Sequence, residues 1–549
     1  MANVGAVFAS AMARNAPDRS LHFLATLLII LSKLACQMSS PVNQSAQPDP
    51  DSPVLQELRS LLIKSGYCDA GVSPTLENIF PSISMDIPSG TPLHTLLKFF
   101  YSNEQVAPDL LKDALGPLTL DQLLSTGLCV LEDDQVVPNV FIQPYEHLLF
   151  VFTEESSRRA THSENVVMKI SETSLELAHL MNRRRARNAL DLGTGCGFLA
   201  MQLSPHADRV YALDLNSRAV QFADRNARWN SLSNITCLQG NLFEPVRELR
   251  FDLVVCNPPF FICPDPDSPV NQFRFAHSGE EGDSFCLNLA RQAASFLNED
   301  GFFHMMFSWI QTESQDWQAR LAPAFSGLNC DVWCLRTGED SSEDYISGWC
   351  TDLLELQDTD FDALYSRGLA HFQKHKIASV GTGLLTLRRC TTRPNQIWFD
   401  EAPDDRSEPY GSCVANLFDL RAKFDSTPDE LFLREKFAVA PDIATIQKSA
   451  PKDGRWEVIA SELCCDSGLK YTFSGVDPLL SEIVTRLDAR ASLHELLTVL
   501  AQERDLPLSR VMVTLLPKLR ELLRYGFIQP ASAPHLSSRP SSASHPSSK

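Results

Sequence analysis

Positive charge is scarce for a chain of 549 residues: 48 Lys+Arg stand against 68 Asp+Glu, a formal net charge of −20 at pH 7. That balance excludes a protein held on nucleic acid by bulk charge, because phosphate binding needs clustered Lys and Arg. It leaves room for a local basic groove. The 15 cysteines include no CxxC pair; the tightest spacings are Cys464-Cys465 and Cys330-x3-Cys334. A disulfide scaffold is short and cysteine-dense, and a zinc knuckle needs two close Cys/His pairs, so both are excluded. The other candidate pair, His371-x3-His375, reads as one polar helix face, and no metal is expected. A reducing, cytoplasmic setting follows. No apolar run reaches the ~20 residues of a membrane span, and no repeat of about 20–50 residues is visible. Hydrophobic residues at 44% and charged residues at 21% are ordinary for a globular chain, of a length that suits three or four domains.

Residues 1–53 read as an N-terminal extension and linker. Arg14 and Arg19 precede the apolar run Phe23 to Leu31, which has the size of a signal-peptide core or part of a transit peptide. The favoured reading is an extension ahead of a start at Met38, followed by the polar, Pro-rich stretch 38–53. Residues 54–150 predict three short amphipathic helices around Leu96–Tyr101, Leu110–Leu115 and Thr119–Leu124. A small hairpin, Leu128–Leu131 with Gln135–Val137, follows. This is a helical, winged-helix-like pattern. Its third helix carries Asp121 and no Lys or Arg, which favours a protein-contact or docking role over DNA reading.

Residues 151–390 alternate strand-like and helical runs. The strands are expected at Asn188–Asp191, Arg209–Asp214, Ile235–Gln239, Phe251–Cys256, Gly301–Phe307, Cys330–Leu335 and Gly383–Arg388. Amphipathic helices fit between them, most clearly Arg218–Trp229 and Ser284–Leu297. The rhythm predicts an α/β fold with a doubly wound, seven-stranded parallel sheet, which binds ligands at the carboxyl ends of its strands. Residues 391–412 are acidic, Pro-containing and aperiodic, and read as a linker. Residues 413–530 end in short helices closed by Gly526-Phe527-Ile528 and read as a second winged-helix-like module. The Ser/Pro-rich tail 531–549 is expected to be disordered.

Four features fall at successive strand ends. Asp191-Leu192-Gly193-Thr194-Gly195-Cys196-Gly197 places an acid before a Gly-rich turn that opens a helix, where glycine lets a ligand approach the backbone. The spacing is GxGxG, unlike the GxGxxG of dinucleotide folds. Asp214, followed by Leu215, stands 23 residues further on, where an acid accepts both hydroxyls of a ribose. Its alternative is a cap of the next helix, which Asn216 or Ser217 also supplies. Asn241, followed by Leu242, offers a side-chain amide to an adenine edge; its alternative is a self-satisfied turn.

The fourth feature is Asn257-Pro258-Pro259-Phe260 after the strand Phe251–Cys256. Two prolines stiffen the loop and remove two backbone donors. The preceding carbonyls and the Asn257 side-chain carbonyl are acceptors, and Phe260 adds a flat apolar face. Together they form a clamp for a planar –NH2 group. Cys196, Cys256 and Cys263 read as small residues rather than nucleophiles. Arg183-Arg184-Arg185-Ala186-Arg187 is the one dense basic run; helix-dipole complementarity and RNA contact both account for it.

From about Ala189 to Gln311, the chain resembles class I S-adenosylmethionine-dependent methyltransferases of the NPP(F/Y) N-methyltransferase group. DLGTGCG resembles the first motif, VYALDLN the second, and NPPF the catalytic motif. The wider plan, with NVFIQPYEHLLFVF ahead of the catalytic domain and GTGLLTLRR at its last strand, is similar to large bacterial multi-domain methyltransferases. The segment Ala276–Asp283 is similar to release-factor glutamine methyltransferases. Phe260 is more usual in the ribosomal- and transfer-RNA adenine or guanine relatives, and Asn241 stands where Asp is commonest. The resemblance implies S-adenosyl-L-methionine as cofactor, with Asp191 meeting its amino group and Gly193, Thr194, Gly195 and Gly197 its surroundings. It implies Asn257, Pro258, Pro259 and Phe260 as catalytic residues, and a macromolecular acceptor: an RNA or DNA base, or a protein glutamine. A non-catalytic cofactor-binding adapter and a nicotinamide oxidoreductase are the alternatives.

Overall fold

The computed structural model describes residues 49–75, 78, 81–83, 86–152, 167, 169–263, 282–356 and 361–531. The expectations for residues 1–48, for most of Ala276–Asp283 and for the tail from 532 fall outside them.

The front module begins with α1 (Pro53–Lys64), started by the Ser52 cap and burying Leu55, Leu58 and Leu62 along one stripe. α2 (Pro92–Leu96) runs into a π turn that buries Leu97, Phe99 and Phe100. α3 (Pro108–Leu115) and α4 (Leu120–Ser125) follow, the latter opened by a Thr119–Gln122 capping box. β1 (Cys129–Glu132) pairs with β2 (Gln135–Pro138) across Asp133 and Asp134, both at the positive φ that a two-residue hairpin turn requires. A second hairpin joins β3 (Phe141–Tyr145) to β4 (Leu148–Phe152).

The central layer comprises α5 (Glu172–Leu180), β5 (Ala186–Leu192), α6 (Phe198–Leu203), β6 (Ala207–Asp214), α7 (Ser217–Trp229), β7 (Ile235–Gln239) and β8 (Phe251–Cys256). It continues with α8 (Ser284–Phe296), β9 (Leu297–Thr312), α9 (Trp317–Phe325), β10 (Cys330–Ser341), α10 (Ser342–Leu356), α11 (Phe361–Lys374), β11 (Ile377–Arg389) and β12 (Ile397–Glu401). The sheet order is β12-β10-β11-β9-β8-β5-β6-β7. All pairs are parallel except those of β11, which is antiparallel to β9 and β10. Strand order reverses between β5 and β8, so the crevice at their carboxyl ends is the place where such a sheet takes a ligand.

All seven expected strands lie in this sheet, and β12 is an eighth. Residues 391–412 are therefore not wholly a linker: Ile397–Glu401 pairs with Val332–Arg336. The sequence hid this strand because one of its inward positions is Asp400, buried against Arg421 and Trp333 Nε1, so no apolar alternation appears.

The C-terminal module holds α12 (Gly411–Phe424), α13 (Asp429–Phe432), β13 (Phe437–Val439), β14 (Ile443–Lys452), β15 (Arg455–Cys465), β16 (Thr472–Phe473), α14 (Pro478–Thr485), α15 (Leu493–Glu503), α16 (Leu508–Arg524) and β17 (Ile528–Pro530). The closing helices and strand are present, with β17 antiparallel to β13. The long β14–β15 hairpin was not anticipated. Both its faces meet solvent toward the tip, leaving Ile446, Trp456, Val458 and Ile459 exposed, so it lacks the alternation that marks a half-buried strand.

Both flanking modules are fastened to the sheet. The backbone of β4 is met by two asparagines one turn apart, Asn226 on α7 and Asn230 at its C-cap. Asn230 Oδ1 accepts from Leu149 N at 3.0 Å, and Asn226 Oδ1 from Val151 N at 2.9 Å. Trp229 is buried in the front module's own core and donates Nε1–H to Leu55 O at 2.9 Å. On the other side Arg421, fully buried on α12, pairs with Asp400 Oδ2 at 2.8 Å and lies 4.0 Å from the Trp333 ring centroid. Among the described residues no helix is long and apolar enough to cross a membrane.

Candidate active site

The glycine loop leaves β5 and enters α6. Gly193, Gly195 and Gly197 all have positive φ (79°, 54° and 88°), which side chains rarely tolerate. A Cβ on Gly197 would also lie 3.0 Å from Ala223 Cα of α7, so the loop packs down on that helix. Backbone N–H groups of Gly193 and Thr194 both donate to Leu213 O at 2.8 Å, which ties the loop to the end of β6. Asn226 Nδ2 donates to Cys196 O at 2.9 Å, so the asparagine that holds β4 also holds the loop.

Asp191 is fully buried. Its Oδ2 accepts from Thr194 Oγ1 at 2.7 Å and from Ala200 N at 2.9 Å, whereas Oδ1 has no partner. Burial pushes its pKa from 3.8 up to about 7; the two hydrogen bonds oppose the rise and the Asp214 charge adds to it. A buried carboxylate oxygen without a partner is costly, and a donor on a bound ligand would satisfy it.

Asp214 is not the cap of α7; Asn216 fills that place, accepting from Arg218 N at 2.9 Å. Instead Asp214 Oδ2 accepts from Gly195 N at 3.0 Å and Oδ1 from Asn216 N at 2.9 Å. Each oxygen keeps a lone pair for a further donor. The next loop is drawn in by Gly240 N, which donates to Asp214 O at 3.0 Å. There Asn241 is exposed and accepts through its backbone from Glu244 N, Leu242 adopts a positive φ of 46°, and Leu215 is exposed beside the same loop. Asp191, Asp214 and the glycine loop thus adjoin at the carboxyl ends of β5 and β6, where carboxylate acceptors stand beside three positive-φ glycines. S-adenosylmethionine fits this donor and acceptor set.

The Asn257 loop lies beside the glycine loop: a Cβ built on Gly193 would stand 3.8 Å from Asn257 O. Asn257 Nδ2 donates to Thr173 Oγ1 at 3.0 Å and to Ser174 Oγ at 3.2 Å, while its buried Oδ1 has no partner. Pro258 is buried and Pro259 half-buried. Phe260 is buried, with Phe261 stacked on it at 4.9 Å and 18°, and Phe261 is the more exposed ring. Ile262 N donates to Tyr345 Oη at 2.9 Å, which pins the loop's exit.

Thr173 and Ser174, in the first turn of α5, are the site residues that sequence reasoning missed. They meet Asn257 across more than 80 residues, so only a helix-start pattern at Ser171 marked the region. Of the residues set aside, Cys196 has its thiol pushed by burial up to about 12, and Cys256 is pushed well above the usual range, so neither is a thiolate at neutral pH. In the basic run, Arg184 pairs with Asp419 of α12 at 2.8 Å and Arg185 pairs with Asp208.

Residues 168–308 match the family model described as "Methyltransferase small domain", and residues 419–530 match a "Domain of unknown function (DUF7782)". Over 150 residues the chain is 32% identical to a release factor glutamine methyltransferase of Xylella fastidiosa, covering 26% of this chain and 54% of that protein. Over 191 residues it is 29% identical to the release factor glutamine methyltransferase of Geobacter sulfurreducens, covering 33% and 58%. Over 175 residues it is 28% identical to the tRNA1(Val) (adenine(37)-N6)-methyltransferase of Actinobacillus pleuropneumoniae, covering 31% and 71%. The chain spans about half the length of the first two relatives. Its central layer thus has a Rossmann-like sheet, matches a methyltransferase domain model, and is similar to release-factor and transfer-RNA methyltransferases.

Proposed function

We propose that the chain transfers a methyl group from S-adenosyl-L-methionine to a planar sp2 nitrogen of a macromolecule, either an exocyclic base amine or a protein glutamine amide. One observation carries this reading: Asn257 keeps a buried, unpartnered carbonyl beside the glycine loop while its own –NH2 is held by Thr173 and Ser174. The two kinds of acceptor named for the relatives, a glutamine amide and adenine N6, share the feature such a carbonyl selects, a flat –NH2 whose lone pair is delocalised.

When bound, the cofactor supplies an electrophilic methyl group. The rest is the work of this chain's residues. Asp191 Oδ1 would accept from the cofactor's amino group and Asp214 from its ribose, and the positive-φ glycines would admit it against the backbone. Asn257 Oδ1 and the backbone carbonyl before Pro259 accept the two N–H groups of the acceptor. Holding both hydrogens would turn the nitrogen lone pair out of conjugation and stabilise the positive charge that develops as the N–C bond forms and the methyl–sulfur bond breaks to leave S-adenosylhomocysteine; the methylated nitrogen would then give one of its protons to solvent. Phe261 offers the exposed ring for the planar group. Positioning supplies most of the remaining help, up to ~7–11 kcal/mol in well-oriented reactions.

Replacing Asn257 with alanine tests the assignment. Methyl transfer is expected to be lost while calorimetric affinity for S-adenosylhomocysteine stays close to wild type. Collapse of that affinity together with the rate would assign Asn257 to cofactor binding instead.

A further inference from the structure

We infer that Thr173 and Ser174 are positioning residues that fix the orientation of the Asn257 amide, an inference that rests on the function proposed above. An asparagine side chain can face its site with either end, and only the carbonyl end can receive an –NH2 group. Asn257 Nδ2 lies 3.0 Å from Thr173 Oγ1 and 3.2 Å from Ser174 Oγ, one hydroxyl for each of its hydrogens. Hydroxyls can also donate, so distance alone leaves a flipped amide open.

Ser171 removes that freedom. Its Oγ lies 3.0 Å from Thr173 Oγ1 and 2.9 Å from Ser174 Oγ, and it also accepts from Ser174 N at 3.2 Å as the cap of α5. An oxygen with two lone pairs, one of them given to Ser174 N, takes a hydrogen from one hydroxyl and gives its own to the other. At least one of the two hydroxyls therefore has its hydrogen committed to Ser171. A flipped amide would accept from one hydroxyl at most and would leave its –NH2 facing the acceptor's –NH2. The observed orientation satisfies both N–H groups and leaves Oδ1 as the open acceptor. The first turn of α5 thereby sets which end of Asn257 the substrate meets, without touching the substrate itself.

The test is the double variant Thr173→Val/Ser174→Ala, which keeps the shapes close and removes both hydroxyls. Rates are measured with tritiated S-adenosylmethionine against increasing amounts of whichever extract fraction, protein or RNA, the wild type labels. The expected result is a saturating rate lowered roughly 10–100-fold, as for loss of hydrogen bonds that orient a reacting group. The half-saturating acceptor concentration and the calorimetric affinity for S-adenosylhomocysteine stay unchanged, and Thr173→Ser retains wild-type rate. A wild-type rate in the double variant overturns the inference, as does a loss of cofactor affinity matching the loss of rate. Should the double variant fail to fold, Ser174→Ala and Thr173→Val singly decide: a lowered saturating rate supports the inference, and unchanged rates in both overturn it. Asn257→Ala is run alongside. If it is inactive while the hydroxyl variants are normal, the positioning role alone falls; if it is fully active, the proposed function falls with it.

Discussion

Replacing Asp191 with asparagine should make the ligand-free protein more stable at alkaline pH and worse at holding its cofactor. The carboxyl is fully buried, with one oxygen held by Thr194 and Ala200 and the other without a partner. Burial raises its pKa from 3.8 to about 7. Because the folded-state value lies above the unfolded one, the stability contributed by the neutral carboxyl is complete below about pH 4 and is lost as pH rises through about 7. The gap of roughly three pH units corresponds to on the order of 4 kcal/mol, an upper bound on what the charged form costs the fold. Asparagine keeps the shape and an acceptor oxygen but never carries that charge. Thermal melts of wild type and Asp191→Asn, run in parallel from about pH 4 to about pH 9, cancel the titrations that do not couple to this group. The stability difference should grow in the variant's favour with pH and level off above about 8. Calorimetry should show weaker S-adenosylhomocysteine binding by the variant at all pH values. Wild-type affinity should fall below about pH 7, where the carboxyl takes up its proton. A stability difference that stays constant with pH would refute the reasoning, since the charge would then be compensated within the apo protein.

Two further substitutions probe how the flanking modules are joined to the catalytic layer. Arg421→Met removes the buried cation between Asp400 and Trp333 and leaves the Asp400 carboxylate with a buried partner missing; denaturant melts should show a loss of ~3–5 kcal/mol. Trp229→Ala empties a buried site in the front module's core and breaks the bond to Leu55 O, for an expected loss of ~3–5 kcal/mol, together with faster proteolysis of residues 53–152.

The parts legible in the sequence are those where local signals agree with the fold. Strands β5 to β8 carry Asp191, Asp214, Gln239 and Cys256 at or next to their carboxyl ends, and the chemistry sits at those ends because a doubly wound sheet opens there. The glycine loop was readable because three positive-φ positions demand glycine. What stayed hidden depends on long-range partners. β12 carries a buried Asp400 whose charge is matched only by Arg421 of the next helix. The β14–β15 hairpin lacks a buried face toward its tip, although its Asp453-Gly454 turn, at φ 50° and 77°, was a usable signal. Thr173 and Ser174 become site residues only when the fold brings α5 beside the end of β8. The stacking of Phe261 over Phe260 follows from the path of the loop, which motif spacing does not record.

The central claim is that the Asn257 loop passes a methyl group to a planar nitrogen of a macromolecule. Its most direct measurement is incorporation of tritium from S-adenosylmethionine into a cell extract, by wild type and by Asn257→Ala, followed by separate digestion with protease and nuclease. The account predicts label in one macromolecular fraction with the wild type, released by one of the two digestions, and none with the variant. Absence of label from both fractions, or equal labelling by Asn257→Ala, would contradict it.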